Sequence, residues 1–140
     1  MAKENGYEVK INQAGGTEIY LDSAAIDSVK FIVDTVNDNV KDRSEDVLNR
    51  VIIKGKISPD NKDATRDLLL WSLGKTTEEV YRTVEISIKV NQTSRVRKYS
   101  MDRVFCLDYS EQFNNGDEDN TFELKFAQRK DNMEGISVIC

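Results

Sequence analysis

Hydrophobic side chains recur at every second position through much of this chain. Tyr7, Val9 and Ile11 alternate with Glu8 and Lys10, and Ala14-Gly15-Gly16 supplies a turn before a partner strand over 17–21, so a hairpin is predicted. Val29, Phe31 and Val33 stand out of phase with Ser28, Lys30, Ile32 and Asp34, one face mostly apolar, which predicts a half-buried strand ending near Val36. Residues 37–46 are polar and charged, and alternation resumes over 47–57 through Val47, Val51, Ile53 and Ile57. The periodicity then changes from two to that of a helix over 58–74. Ser58 suits a cap, Pro59 the first helical position, Asp60 and Asp63 the positive end of the dipole, and Gly74 the stop. On that helix Ala64, Leu68, Trp71 and Leu69 form the predicted packing face, with Lys62, Arg66 and Asp67 left for solvent.

The second half returns to period two. Val84, Ile86, Ile88 and Val90 alternate with Glu85, Ser87 and Lys89; 91–94 forms a turn; 95–109 holds one long or bent strand. A polar loop over 110–120 precedes the alternation of Phe122, Leu124 and Phe126 with Glu123 and Lys125, and residues 136–139 add a short final strand. The fold class expected is mainly β, seven or eight strands in a barrel or sandwich, with one flanking α-helix. At 140 residues, with no repeat or linker, the chain reads as a single domain over 1–140, with a protruding loop at 37–46 and a tail at 129–140.

Composition narrows the partners. The charged fraction is 32%, the hydrophobic fraction 39%, and there is one proline, the balance of an ordered globular chain. A net charge of -5 gives no general attraction to phosphate backbones or anionic lipid, so neither specific nucleic-acid binding nor membrane insertion is expected. The first six residues lack the apolar run of a signal peptide, so synthesis in the cytoplasm is expected. Asn91-Gln92-Thr93 fits a glycosylation pattern but reads as a turn without a secretory route.

Candidate catalytic chemistry is sparse. The chain has no histidine, which removes the usual proton shuttle near neutral pH and excludes serine or cysteine catalysis with a histidine base. Asp117-Glu118-Asp119 follows Asn114-Asn115-Gly116 in the polar loop without EF-hand spacing, and Gly15-Gly16 lacks the lysine and helix of a phosphate-binding loop. Cys106 sits in an apolar run and Cys140 is the last residue, a spacing that makes neither a metal nor a redox motif. No enzyme activity, cofactor or metal is expected. Arg95-Val96-Arg97-Lys98-Tyr99 is the most basic run, with an aromatic beside it; a nucleic-acid contact is one reading, opposed by the acidic whole, a charged strand edge that resists aggregation is the plainest, and a subunit contact is the third.

In element order, residues 26–130 resemble the Hcp and phage tail-tube family, the inner tubes of contractile injection machines. The segments carrying the resemblance are Tyr81-Arg82-Thr83-Val84-Glu85-Ile86-Ser87-Ile88, Lys98-Tyr99-Ser100-Met101-Asp102-Arg103-Val104-Phe105 and Phe122-Glu123-Leu124-Lys125-Phe126. The resemblance implies a structural subunit that forms hexameric rings stacking into a hollow tube, with sheath and baseplate proteins as partners and delivery from the cell within the particle. It also implies contacts through the loop, with Asp38, Lys41, Asp42, Arg43, Glu45 and Asp46 reaching the adjacent ring or subunit; Arg95, Arg97 and Lys98 of the basic run are candidate contacts beside them. The alternatives are a baseplate or tail-completion protein of the same fold, and an unrelated β-sandwich that binds a ligand.

Overall fold

The structure is a computed structural model and describes residues 5–13, 16, 18–35, 47–74, 80–91, 93–128 and 136–140. Eight strands occur in it: β1 (Gly6–Asn12), β2 (Glu18–Asp22), β3 (Ile26–Thr35), β4 (Val47–Lys56), β5 (Arg82–Val90), β6 (Ser94–Gln112), β7 (Thr121–Gln128) and β8 (Ile136–Ile139). One helix, α1 (Lys62–Ser72), follows a 3-10 turn at Pro59–Asn61. Every strand pairing is antiparallel, in the order β2-β1-β5-β6-β7-β4-β3, with β8 also on β6.

β6 organises the fold because its two halves pair with different strands of one continuous sheet. Its first half pairs with β5 on one edge and β8 on the other, while its second half pairs with β7. Between them Arg103 sits at φ 52, in the left-handed region that a non-glycine residue seldom enters, and the ladder slips at Arg82/Val84 and at Cys106/Asp108. These irregularities mark where β6 passes from the first half of the sheet to the second. The five-stranded half is β2-β1-β5-β6-β8, and the other is β6-β7-β4-β3. The terminal strands β2 and β3 are consecutive in the chain, joined only by residues 23–25, so the ladder curls back on itself as a barrel.

The strand alternation places one face of each half inside. Leu21, Val9, Ile86 and Tyr99 stand side by side across four strands, as do Ile19, Ile11, Val84 and Met101. Opposite them, Val51 neighbours Phe126, and Ile53 neighbours Leu124. All of these are buried except Tyr99, which stacks on Phe31 from the other half with ring centroids 4.5 Å apart and planes 6° from parallel.

The helix covers one end of this core. Thr65, Leu68 and Trp71 are its buried residues, whereas Leu69, expected on the packing face, lies on the exposed side with Leu70 and Leu73. The difference is one of angle: Leu69 is 100° from Leu68, outside the arc that the sheet covers. Trp71 lies 5.9 Å from Phe126, takes the Arg82 guanidinium over its face at 5.5 Å, and donates its indole N–H to the Val80 carbonyl at 2.7 Å. At the other end Ser58 stands at the N-cap of the 3-10 turn with Pro59 next, as expected, and Asn61 completes a capping box. Asn61 Oδ1 accepts the Ser58 N–H at 2.9 Å while Asn61 Nδ2 donates to the Lys56 carbonyl at 2.7 Å, so Asn61 also ties the turn to β4.

Two further departures concern β6 and its edge. The strand continues to Gln112, past the expected start of the loop, because residues 108–112 pair in register with 121–125. The short final strand is present: β8 follows the track of β7 along β6, with Gln128 opposite Val104 and Ile136 opposite Met101. At the junction of the two halves, buried Asn49 Nδ2 donates to Gln128 Oε1 at 3.0 Å, and Gln128 Nε2 donates to the Asp102 carbonyl at 3.3 Å. This satisfies two amides that would be costly to bury alone.

Candidate assembly surfaces

Period two fixes not only what is buried but what the opposite face presents. Asp22, Glu8, Ser87, Lys98 and Ile139 line up across the five-stranded half, and the next row is Tyr20, Lys10, Glu85, Ser100 and Ser137. That face is polar and of mixed charge almost throughout, and a shallow groove of about 260 Å³ runs along it between Glu8, Lys10, Glu85, Lys89, Arg95 and Lys98. Its outermost strands, β2 and β8, pair with no further strand among the described residues. An open edge carries unpaired backbone donors and acceptors and is a template for a second chain.

The two open edges differ in charge. Near β8, Arg95 and Arg97 are exposed and converge on residue 140: Arg95 Nη2 donates to the Cys140 carbonyl at 3.3 Å, and Arg97 Nη1 approaches Cys140 Sγ at 3.6 Å. Lys98 is half-buried on the polar face. Beside β2, a groove of about 560 Å³ separates the strand from the start of α1, lined by Tyr20, Asp22, Ala25, Ser58, Asp60 and Asp63 among others, with no basic side chain in its wall. Tyr20 is 44% exposed there. Its hydroxyl is held above the usual phenol range by partial burial and by the Glu8 and Asp22 carboxylates, so the surroundings are net negative.

Of the residues singled out in the sequence, Arg95, Arg97 and Lys98 therefore sit together at one edge. Asp38, Lys41, Asp42, Arg43, Glu45 and Asp46 lie outside the described residues. The structure does place the root of their loop: β3 and β4 stay paired as far as Thr35 and Val47, whereas the pairing of β4 with β7 runs only to Arg50 and Ala127. Among the described residues the hairpin thus reaches past the end of its neighbouring strand. Sequence reasoning missed the groove beside β2 because its carboxylates come from two separated segments and because Asp60 and Asp63 were already accounted for by the helix dipole. The alternating exposure of β2, with Ile19 and Leu21 in and Tyr20 and Asp22 out, was the available signal.

Exposed apolar residues elsewhere among the described residues include Leu69 and Leu70 on α1 with Leu73 just after it, Val33 on β3, Leu107 on β6, Phe113 after β6, and Val138 and Ile139 on β8. Titration is perturbed at two interior positions. Burial pushes the Cys106 thiol up to about 11, and the Tyr109 hydroxyl is raised by burial and by Glu111, to whose carboxylate it donates at 2.8 Å. Both effects keep the neutral form and supply no nucleophile. Among the described residues no three side chains of His, Cys, Asp or Glu gather as a metal site, and no helix is long and apolar enough to cross a membrane.

No family model matches the sequence, and no curated protein matches it. Solved structures do match in shape. Hcp1 from Flavobacterium johnsoniae superposes with a TM-score of 0.53 at 12% identity over 94% of this chain and 94% of that one. A chain of the anti-feeding prophage baseplate, solved with six-fold symmetrisation, gives 0.54 at 11% identity over 95% and 91%. A chain from the tail of an empty GTA particle, refined with C6 symmetry, gives 0.51 at 10% identity over 95% of each chain. The fold is thus the one that Hcp1 shares with these baseplate and tail chains, an Hcp-like tail-tube fold.

Proposed function

We propose that this protein is a structural ring subunit: it associates into hexameric rings that stack into the hollow inner tube of a contractile injection machine, and it performs no bond chemistry. The observation that carries the reading is the pairing of this fold, found in particles with six-fold symmetry, with a five-stranded half whose outer strands β2 and β8 pair with no further strand among the described residues. A head-to-tail contact between two different edges of one chain closes into a ring whenever its rotation divides the circle. In such a ring the polar face of β1, β5 and β6 lines the channel and the apolar face stays within each subunit. The loop at 37–46, rooted on the overhanging β3–β4 hairpin, reaches the neighbouring ring. Sheath and baseplate proteins are the further partners. A second reading, a baseplate ring of the same fold, is favoured by the likeness to the baseplate chain; it predicts single rings in place of stacks.

Sedimentation across a range of concentrations tests the association. The expected result is a protomer of 16.0 kDa that gives way, as concentration rises, to a species of six copies. A protein that stays monomeric at millimolar concentration contradicts the proposal.

A further inference from the structure

The five-stranded half is polarised from edge to edge. β2 and β8 are its two open edges, four strand spacings apart, which is roughly 19 Å. Exposed Arg95 and Arg97 stand at the β8 edge, and Lys89 lies opposite Arg95. At the β2 edge, the groove between strand and helix is lined by Asp22, Asp60 and Asp63 with exposed Tyr20 at its side. Asp63 has an exposed partner in Arg66 at 3.8 Å, and Asp22 accepts the Ala24 N–H at 3.0 Å; neither Asp22 nor Asp60 has a cation within 4 Å among the described residues.

We infer that the groove beside β2 receives the Arg95/Arg97 corner of a second copy of this chain, so that the two edges of the same sheet form one head-to-tail contact. This rests on the ring reading above and goes further by naming the two faces that meet. Three features single out a second copy as the occupant. The complementary charges belong to one chain and lie on opposite edges, which is what a heterologous contact needs and an isologous one does not. The groove borders an open strand edge, so the same approach that pairs the charges brings β8 of one copy toward β2 of the next. The exposed Val138 and Ile139 lie on the strand that would enter, giving the contact apolar area that charge alone lacks.

The geometry makes an unusual demand that can be tested. Arg95→Glu with Arg97→Glu leaves a copy acidic at both edges, and Asp60→Lys with Asp63→Lys leaves one with a basic groove facing a basic corner. Each variant alone is expected to need roughly tenfold more protein than wild type for half-assembly at low salt. Mixed in equal amounts they alternate around a ring of even number, every contact again joins opposite charges, and assembly returns to near the wild-type concentration. Circular dichroism confirms folding of each variant. Where a reversed protein does not fold, the milder Arg95→Gln with Arg97→Gln and Asp60→Asn with Asp63→Asn replace it, each expected to weaken assembly about threefold. Two outcomes overturn the pairing while leaving the ring reading intact: folded variants that assemble as wild type does, or a mixture no better than its components. Wild-type protein that never associates, read before any variant is made, overturns the ring reading and the pairing with it.

Discussion

Replacing Trp71 by alanine is expected to cost about 3–5 kcal/mol of folding stability, the range for a large aromatic removed from a packed interior. Trp71 is 2% exposed and holds three elements together, α1 by its own backbone, β7 through Phe126, and the Val80 carbonyl through its indole N–H. Its loss leaves a cavity, an acceptor without its donor, and the Arg82 guanidinium without the ring beneath it. Trp71→Phe separates these terms: it keeps most of the apolar volume and loses the hydrogen bond, so it should cost about 1–2 kcal/mol. Urea unfolding of the three proteins makes the comparison. An alanine variant as stable as wild type would show that Trp71 is a surface platform, as a ligand-binding module would require.

Gly55→Ala is expected to be as damaging, for the opposite reason. Gly55 lies on β4 where residues 23–25 press against it, and the Lys56 N–H donates to the Ala25 carbonyl at 2.8 Å. A Cβ at Gly55 would collide with that carbonyl oxygen, and it would lie 2.6 Å from Phe122 Cε1. The first obstacle is backbone, which cannot rotate away, and the second is a buried ring. Because this corner joins the two ends of the ladder, relieving the clash means moving β2 and β3 apart. A loss of about 3 kcal/mol or more is expected, at the upper end of overpacking costs. Unfolding midpoints measure it, and a variant within 0.5 kcal/mol of wild type, roughly the scatter of surface substitutions, would show that the corner yields freely and does not close the barrel.

What the sequence displayed and what it hid divide along the reach of the interactions. Strands such as β1 and β5 were legible because burial of one face writes itself into every second residue. The helix was legible from Pro59 and the spacing of Leu68 and Trp71. The change of partners along β6 was not, because it depends on which strands lie at its edges, and these come from residues 82–90 on one side and from 121–128 and 136–139 on the other. Nor was the burial of Arg82, a residue type that is seldom interior unless something like the Trp71 face receives it. The same contrast holds at the candidate surface. Arg95, Arg97 and Lys98 form a continuous run and could be read directly, whereas Tyr20, Asp22, Asp60 and Asp63 are neighbours only after β2 and α1 have packed together.

If the proposal of a ring-forming tube subunit is right, electron microscopy of the purified wild-type protein at high concentration will show annular particles whose class averages have six-fold symmetry and an open centre, with some rings stacked coaxially into short tubes. Compact particles of single-protomer size across all concentrations and salt conditions, with no annuli, would contradict it.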